Sequence, residues 1–548
     1  MNSTTLDDTD CSVHLDDEAE SLSIDPRSFR VFEFEGDKLL FDRATGTVAG
    51  LDEMSFTMLS LLGAGFSVAE TVRLCKRSVP GFEEDAVVGT LEHLQSLGFF
   101  RYEKVDHDEQ LKMIEMLAEH RPRRVQLLMA QGCNLGCRYC YAWRNGSNQK
   151  GTLMPWEMAK ESVDHLVRNS GNRPELQVTF FGGEPLLNWE VILQVVEYCR
   201  ELERTTSKTF LFELITNGVL LTPEITDFIA KEKFLLFVSL DGWKEMHNYN
   251  RPSMSGEDVY DVILQNALYA NKRYEELGLN PMKIRANLTN KHHDWKAVGE
   301  YLASLGFKVI GVGAIEPLSH GDPSPSSMTE EQVDALHEEI SKGMAQTVYK
   351  LIDGKETTFF ERLQLKKAVM PLSPHGLKGV TCGVARNTQV VDNKGNIFPC
   401  HRYEGMENYI IGNVAAGGLD REKTMAYYLK LNGNATNRCH SCWIRDYCGG
   451  GCAWLLSKKD GHLADPTERE CDRRRASMER ALWLRQKMRT YFPEKFTRDG
   501  EIDLDSWDWG AETDSDEPDA LLGTPSAESS SCGSDSKCEN CGPSGCAE

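Results

Sequence analysis

Apolar and polar positions along the 548-residue chain alternate most regularly between Arg123 and about Glu316. There the apolar runs RRVQLLMA, LQVTFFGGEP, TFLFELITNG, FLLFVSLDG, MKIRANLT and FKVIGVGAIE each read as a strand closed by a polar or glycine-containing loop. The first five lead into amphipathic, helix-like segments and the sixth into a Pro/Ser-rich stretch. This repetition predicts an α/β fold with a parallel sheet and right-handed crossovers, a partial (β/α)6 barrel open at one side, at 123–320. In such folds the loops at the C-terminal strand ends build the active site. Upstream, FRVFEFEG and KLLFDRATGTVAGL predict short strands, followed by helices near 52–63, 67–77 and 83–98. They make a small domain at 29–103, joined by a linker helix at 104–122. Downstream, bridging helices are expected at 321–380. A Cys- and Gly-rich domain with little periodicity follows at 381–490, including the basic helical segment RRRASMERALWLRQKMRT. Residues 1–28 and 491–548 are acidic and lack the apolar content to offset ordering, so both ends are expected to be disordered.

Composition narrows the function classes. No apolar run is long enough to span a membrane, and the acidic N-terminus lacks the basic flank and apolar core of a signal peptide, so a cytoplasmic location without membrane partners is expected. A net charge of −23 argues against a nucleic-acid partner. About half of that charge lies beyond Tyr491. Seventeen cysteines in a reducing compartment point to ligands or catalysts, and most fall in clusters of three, seven and four.

The first cluster, Cys133, Cys137 and Cys140 in MAQGCNLGCRYCYAW, follows the first barrel strand with the spacing CxxxCxxC. A structural zinc site calls for four protein ligands, whereas three cysteines on an iron–sulfur cubane leave one iron open; zinc or unrelated buried thiols are the alternative. The loop resembles the signature of the radical S-adenosylmethionine (SAM) superfamily, with Tyr139 as the aromatic before the last Cys. That resemblance implies a [4Fe-4S] cluster on these cysteines, with SAM chelated at the open iron and cleaved to a 5'-deoxyadenosyl radical that abstracts hydrogen. It also implies that Gly182, Gly183 and Glu184 of GGEP meet the methionine amino group. Asn217 of TNG, Ser239 and Asp241 of SLDG, and Arg285 of RANLT stand where family members place ribose and carboxylate contacts. Taken singly, each is equally a polar strand-end turn.

The second cluster, Cys382, Cys400, Cys439, Cys442, Cys448, Cys452 and Cys471, resembles the SPASM extension, a twin-cluster domain of radical enzymes that modify peptides and proteins. The resemblance implies an outer auxiliary cluster on Cys439, Cys442, Cys448 and Cys471, and an inner one on Cys382, Cys400 and Cys452. Two fully cysteine-ligated cubanes need eight thiolates. Where some relatives carry the eighth, this chain has Gly376, which leaves the inner cluster with an open iron, a two-iron form or a ligand such as His375; two zinc knots are the bland alternative. In relatives that convert Cys or Ser to formylglycine, an Asp base follows the Cys matching Cys400. Here His401 and Arg402 follow, and CHR with IGNV resembles thioether-installing maturases. His401 is the candidate catalytic base, against the simpler reading of a structural histidine.

Residues 29–103 resemble the winged-helix-like domain that recognises leader peptides by adding a strand to a sheet edge; the chain's charge disfavours DNA reading. The final cluster, Cys532, Cys538, Cys541 and Cys546, is a set of incidental tail thiols, a metal shuttle, a thiol relay or a substrate-like segment. Cys11, Cys75 and Cys199 are isolated. The function implied is a radical SAM peptide maturase forming thioether crosslinks. Its expected partners are a precursor peptide bound through its leader and a reductant such as flavodoxin or ferredoxin. Carbon–carbon crosslinking, formylglycine formation, or a non-catalytic peptide-binding scaffold are the alternatives.

Overall fold

The computed structural model describes residues 22–78, 83–102, 112, 115, 121–144, 151–316, 324–368, 387–433, 442–448, 451–458 and 460–495. Most of the expected linker helix, residues 1–21 and 496–548 of the predicted disordered ends, His375, Gly376, Cys382 and Cys439 lie outside them; residues 22–28 and 491–495, also expected to be disordered, are ordered, with Ser28 buried and Tyr491 closing a helix.

β1 (Phe29–Phe34), β2 (Asp37–Asp42) and β3 (Val48–Gly50) form an antiparallel sheet in that order. Side chains alternate between its faces. Phe29 and Leu40 pack on the helices α1 (Glu53–Gly63), α2 (Val68–Ser78) and α3 (Glu84–Ser96). Phe32, Leu39 and Phe41 face the other way, onto Trp443, Leu482 and Trp483. This small sheet is therefore buried on both sides, which its apolar positions of both parities require.

The predicted alternation is realised as β4 (Arg124–Ala130), β5 (Glu175–Gly182), β6 (Thr209–Thr216), β7 (Leu235–Ser239), β8 (Lys283–Leu288) and β9 (Val309–Ala314), paired in parallel in chain order. The connecting helices include α4 (Trp156–Asn169), α5 (Trp189–Thr205), α6 (Pro223–Lys231), α7 (Tyr260–Glu276) and α8 (Trp295–Ser304). Among the described residues no sheet closes into a barrel.

The Cys- and Gly-rich region contributes strands that its sequence pattern does not announce. β10 (Thr388–Val391) pairs in parallel with β4, and β11 (Asn396–Phe398), β12 (Gly412–Asn413) and β13 (Gly418–Leu419) continue antiparallel, giving a ten-stranded sheet. Strands of two to four residues are too short to carry a readable period. His165 of α4 clamps the join, its Nε2 lying 2.9 Å from Gln389 Oε1. Gly418 makes room for it, since a Cβ there would stand 2.3 Å from the imidazole.

Helices α9 (Glu330–Ile352), α10 (Phe359–Ala368) and α11 (Glu468–Tyr491) occupy the predicted bridging and basic segments. Capping boxes start α9 at Thr329 and α11 at Thr467. Near its end α11 holds the N-terminal sheet: Trp483 Nε1 donates to Asp37 Oδ2 at 2.6 Å, and Lys487 pairs with the same carboxylate at 2.7 Å. Among the described residues no helix is long and apolar enough to cross a membrane.

Candidate functional site

The loop that carries Cys133, Cys137 and Cys140 leaves the C-terminal end of β4 and is strapped to residues 250–254. Gly136 N donates to Pro252 O at 2.8 Å, Arg138 N to Asn250 O at 3.0 Å, and Met254 N to Asn134 O at 3.1 Å. All three thiols are half-buried. Donors point at two of the sulfurs: Leu135 N at 3.4 Å and Asn217 Nδ2 at 3.6 Å from Cys133 Sγ, and Arg251 Nη1 at 3.8 Å from Cys137 Sγ. Burial pushes the Cys133 thiol up to about 12 and Cys137 higher still. Buried thiols with N–H groups aimed at them suit sulfurs that become thiolates on binding metal. Among the described residues no three or more His, Cys, Asp or Glu side chains converge to hold one ion. Three half-buried thiols on one loop, two of them facing N–H donors, suit a cluster that takes one cysteine per iron.

GGEP ends β5 directly beside this loop. Gly183 N donates to Ala130 O at 2.7 Å and Glu184 N to Gly132 O at 3.0 Å. Gly182 has φ +127°, and a Cβ there would lie 2.6 Å from Ala130 O, so only glycine permits this approach of two backbones. Glu184 is fully buried and accepts from Thr216 Oγ1 at 2.7 Å, Asn217 N at 2.8 Å and Leu186 N at 3.1 Å. Burial raises its carboxyl to about 7 against the lowering effect of those bonds. Asn217 also donates to Asn134 Oδ1 at 2.7 Å, so the ends of β4, β5 and β6 form one hydrogen-bonded unit.

Asp241 lies beneath the loop. Its carboxylate, fully buried, accepts from Tyr139 Oη at 2.7 Å and Asn287 N at 2.9 Å, and pairs with Arg251 Nε at 3.3 Å. Tyr139 and Asp241 are thus placed as supports of the cysteine loop. Ser239 stands half-buried at the end of β7, level with Arg285 of β8. The Arg285 guanidinium lies over Gly311 and Gly313 of β9, where a Cβ at Gly313 would come within 2.5 Å of it.

The turn Cys400–Tyr403 brings the second cysteine region over the same strand ends. The His401 ring lies 4.7 Å from Phe181 of β5 and 5.8 Å from Tyr141, the residue after Cys140. Tyr141 in turn meets Trp454, 6.0 Å away, and Arg402 sits over that indole at 5.0 Å. Burial and the Arg402 charge push His401 down to about 3, so its imidazole is neutral at physiological pH. Cys400 packs against the main core, while Cys442 and Cys448 pack against the separate cluster under the N-terminal sheet. Cys452 caps a short helix, Ala453–Leu456, and Cys471 lies in the first turns of α11.

Three residues of this site carry no motif in the sequence. Arg251, 6 % exposed, joins Asp241 to Cys137. Tyr141 links the two cysteine regions. Glu404, 1 % exposed beside Gln131, has its carboxyl raised to about 8 by burial and the nearby Asp392. Only the aromatic following Cys140 offered a signal.

Residues 127–285 match the family model described as Radical SAM superfamily. The chain is 23% identical over 385 residues to the radical SAM cyclopropyl synthase TigE of Paramaledivibacter caminithermalis, covering 66% of this chain and 76% of that protein. It is 26% identical over 351 residues to a cysteine-type anaerobic sulfatase-maturating enzyme of Clostridium perfringens, covering 60% and 88%. A solved structure, native anSMEcpe with bound AdoMet and Cp18Cys peptide, shares the fold with a TM-score of 0.53 at 21% identity, covering 68% of this chain and 100% of that one.

Proposed function

This chain carries a radical SAM domain, and on that premise we propose that the enzyme is a peptide maturase closing thioether crosslinks between a cysteine sulfur and an unactivated carbon of a ribosomally made peptide or small protein subunit. The observation that carries the reading is the Cys400–His401 turn seated on Phe181 and Tyr141. It sets a thiol-bearing segment against Tyr141, the residue that follows the cysteine loop. Cys133, Cys137 and Cys140 would hold the [4Fe-4S] cluster. Glu184, Gly182, Gly183, Asn217, Ser239 and Arg285 would line the SAM site, with Tyr139 and Asp241 behind it. When bound, this pair supplies abstraction of a hydrogen atom from carbon.

The chain's own residues do the rest. The loop straps at 250–254 fix the three thiols; Arg251 balances the buried Asp241; Phe181, Tyr141 and Trp454 pack as an aromatic cluster around the His401 turn. His401, neutral, accepts a hydrogen bond from a substrate thiol and orients it. Cys382, Cys400 and Cys452 would hold an inner auxiliary cluster and Cys439, Cys442, Cys448 and Cys471 an outer one. The N-terminal sheet would take the leader along a free edge, and a flavodoxin or ferredoxin would supply electrons.

The sulfatase-maturating relative favours a second reading, formylglycine formation. Release of 5'-deoxyadenosine by the anaerobically reconstituted protein, abolished by Cys133→Ala, Cys137→Ala and Cys140→Ala, tests the catalytic claim. No release from the wild type would leave a peptide-binding scaffold.

A further inference from the structure

The cysteine loop reaches its surroundings on two sides. Tyr141, after Cys140, meets the His401 turn, which packs on Phe181 of β5. Arg138, between Cys137 and Cys140, turns instead to the segments that follow β7 and β8. Its Nε donates to Tyr249 O at 2.7 Å, and its guanidinium lies 4.7 Å from the centre of the Tyr249 ring. Lys291, shortly after β8, brings Nζ to 3.8 Å from the same ring, and His292 packs on that ring at 5.7 Å.

Arg138 and Lys291 are both exposed, and among the described residues neither has a carboxylate within ion-pair distance. The acidic residues of these segments are engaged elsewhere or stand apart. Asp294 caps α8 by accepting from Ala297 N at 2.9 Å, and Asp258 pairs with Lys244 at 3.1 Å. Glu245, one turn before Tyr249 on the short helix Lys244–Asn250, pairs with neither cation. Beside them Met254, 58 % exposed, lies over the loop, its Sδ 3.1 Å from where a Cβ on Gly136 would stand.

Two like charges gathered on one tyrosine ring, next to an exposed methionine, make a surface that an anionic partner completes. Arg, Tyr and Met are residue types enriched at protein interfaces, and unpaired cations attract an acidic surface from a distance and orient it. In a chain of net charge −23 such a patch is a local reversal of sign. Its position names the partner. Arg138 is joined to Cys137 by one peptide bond, so their Cα atoms are about 3.8 Å apart. A protein seated on Arg138 therefore stands against the cluster-bearing loop on its β7 and β8 side, clear of the His401 turn over β5.

We propose that Arg138, Tyr249, Lys291 and Met254 form the docking surface of an acidic one-electron carrier protein of the flavodoxin or ferredoxin class. This rests on the cluster and electron supply of the proposed function and gives that supply a place. The carrier loses one electron and the cluster on Cys133, Cys137 and Cys140 gains it; no atom is transferred.

Binding tests this apart from turnover. The anaerobically reconstituted full chain binds a purified acidic flavodoxin at low salt, and added salt weakens the complex. Lys291→Glu weakens it about tenfold or more, whereas Lys291→Arg keeps it. Iron content, and 5'-deoxyadenosine release driven by dithionite, a small reductant that needs no docking surface, stay at the wild-type level in both variants. Flavodoxin binding that Lys291→Glu leaves unchanged overturns the proposal. So does the absence of low-salt binding by both the flavodoxin and an acidic ferredoxin. If Lys291→Glu weakens binding of a precursor peptide and not of the carrier, the patch belongs to the substrate, and the proposal again falls. Carrier binding that Lys291→Glu abolishes, with no peptide product under dithionite, would sink the maturase reading alone. Peptide product under dithionite, with a carrier indifferent to Lys291→Glu, would sink the docking alone.

Discussion

Arg251 stands 3.3 Å from the Asp241 carboxylate and 3.8 Å from Cys137 Sγ, enclosed by the loop it supports. Replacing it with Met leaves Asp241 as an uncompensated buried charge, a loss on the order of 3–5 kcal/mol. Arg251→Met is therefore expected to lower the thermal midpoint and to reduce iron bound after anaerobic reconstitution, as measured by iron analysis. Glu404 yields a pH prediction. Its folded carboxyl is raised to about 8 from an ordinary 4.5, so between those pH values the folded state binds the extra proton. Stability on this account falls as pH rises from about 4.5 to 8. Glu404→Gln is expected to flatten that decline and to raise the thermal midpoint at pH 8 relative to wild type; an unchanged slope would remove Glu404 as its cause. At this scale the sequence disclosed what spacing encodes. The three cysteines, GGEP and TNG could be placed because each is a local pattern at a strand end. Arg251 and Glu404 could not, because their partners lie far away in sequence and only the fold brings them together.

Two joins between elements determine whether the site exists. At the first, Gly182 allows the end of β5 to touch β4. A methyl at Gly182 would meet Ala130 O at 2.6 Å and strain a backbone held at φ +127°. Gly182→Ala is expected to cost about 1–3 kcal/mol and to lower the cluster's visible absorbance in the reconstituted protein, whereas Gly183→Ala, lacking the positive φ, would do so less. At the second, β10 docks on β4 and carries the Cys400–His401 turn to the strand ends. His165→Ala removes the partner of buried Gln389 and should cost on the order of 1–3 kcal/mol, read as faster hydrogen exchange in 388–398 while β5 to β8 stay protected. Six strands were legible because each couples an apolar run to a glycine or polar loop, and the first five also to a following amphipathic helix. β10 to β13 were not, because their pairing is set by tertiary docking of very short segments rather than by any period of their own.

Across the whole molecule, α11 ties together the parts that the proposed reaction needs. One end bears Cys471, and the other holds Asp37 of the N-terminal sheet through Trp483 and Lys487. Trp483→Ala is expected to cost about 3–5 kcal/mol and to speed amide exchange in the N-terminal sheet at 29–42, while Cys133, Cys137 and Cys140 still load iron. The sequence announced a small recognition domain, a radical domain and a cysteine-rich extension, but not that one basic helix fastens the first to the last. The segment reads as basic, and nothing local says that its apolar stretch Ala481–Leu484 meets a sheet more than four hundred residues earlier.

The central claim, that this assembly installs thioethers in a peptide, is tested most directly by anaerobic co-expression with small Cys-containing peptides encoded beside its gene. Intact and fragment masses are then recorded before and after thiol alkylation. The account predicts loss of two hydrogens per modified cysteine, with that cysteine no longer alkylated and inert to reductant. Hydrogens lost while every thiol stays alkylatable, or a cysteine that loses its sulfur, would contradict it.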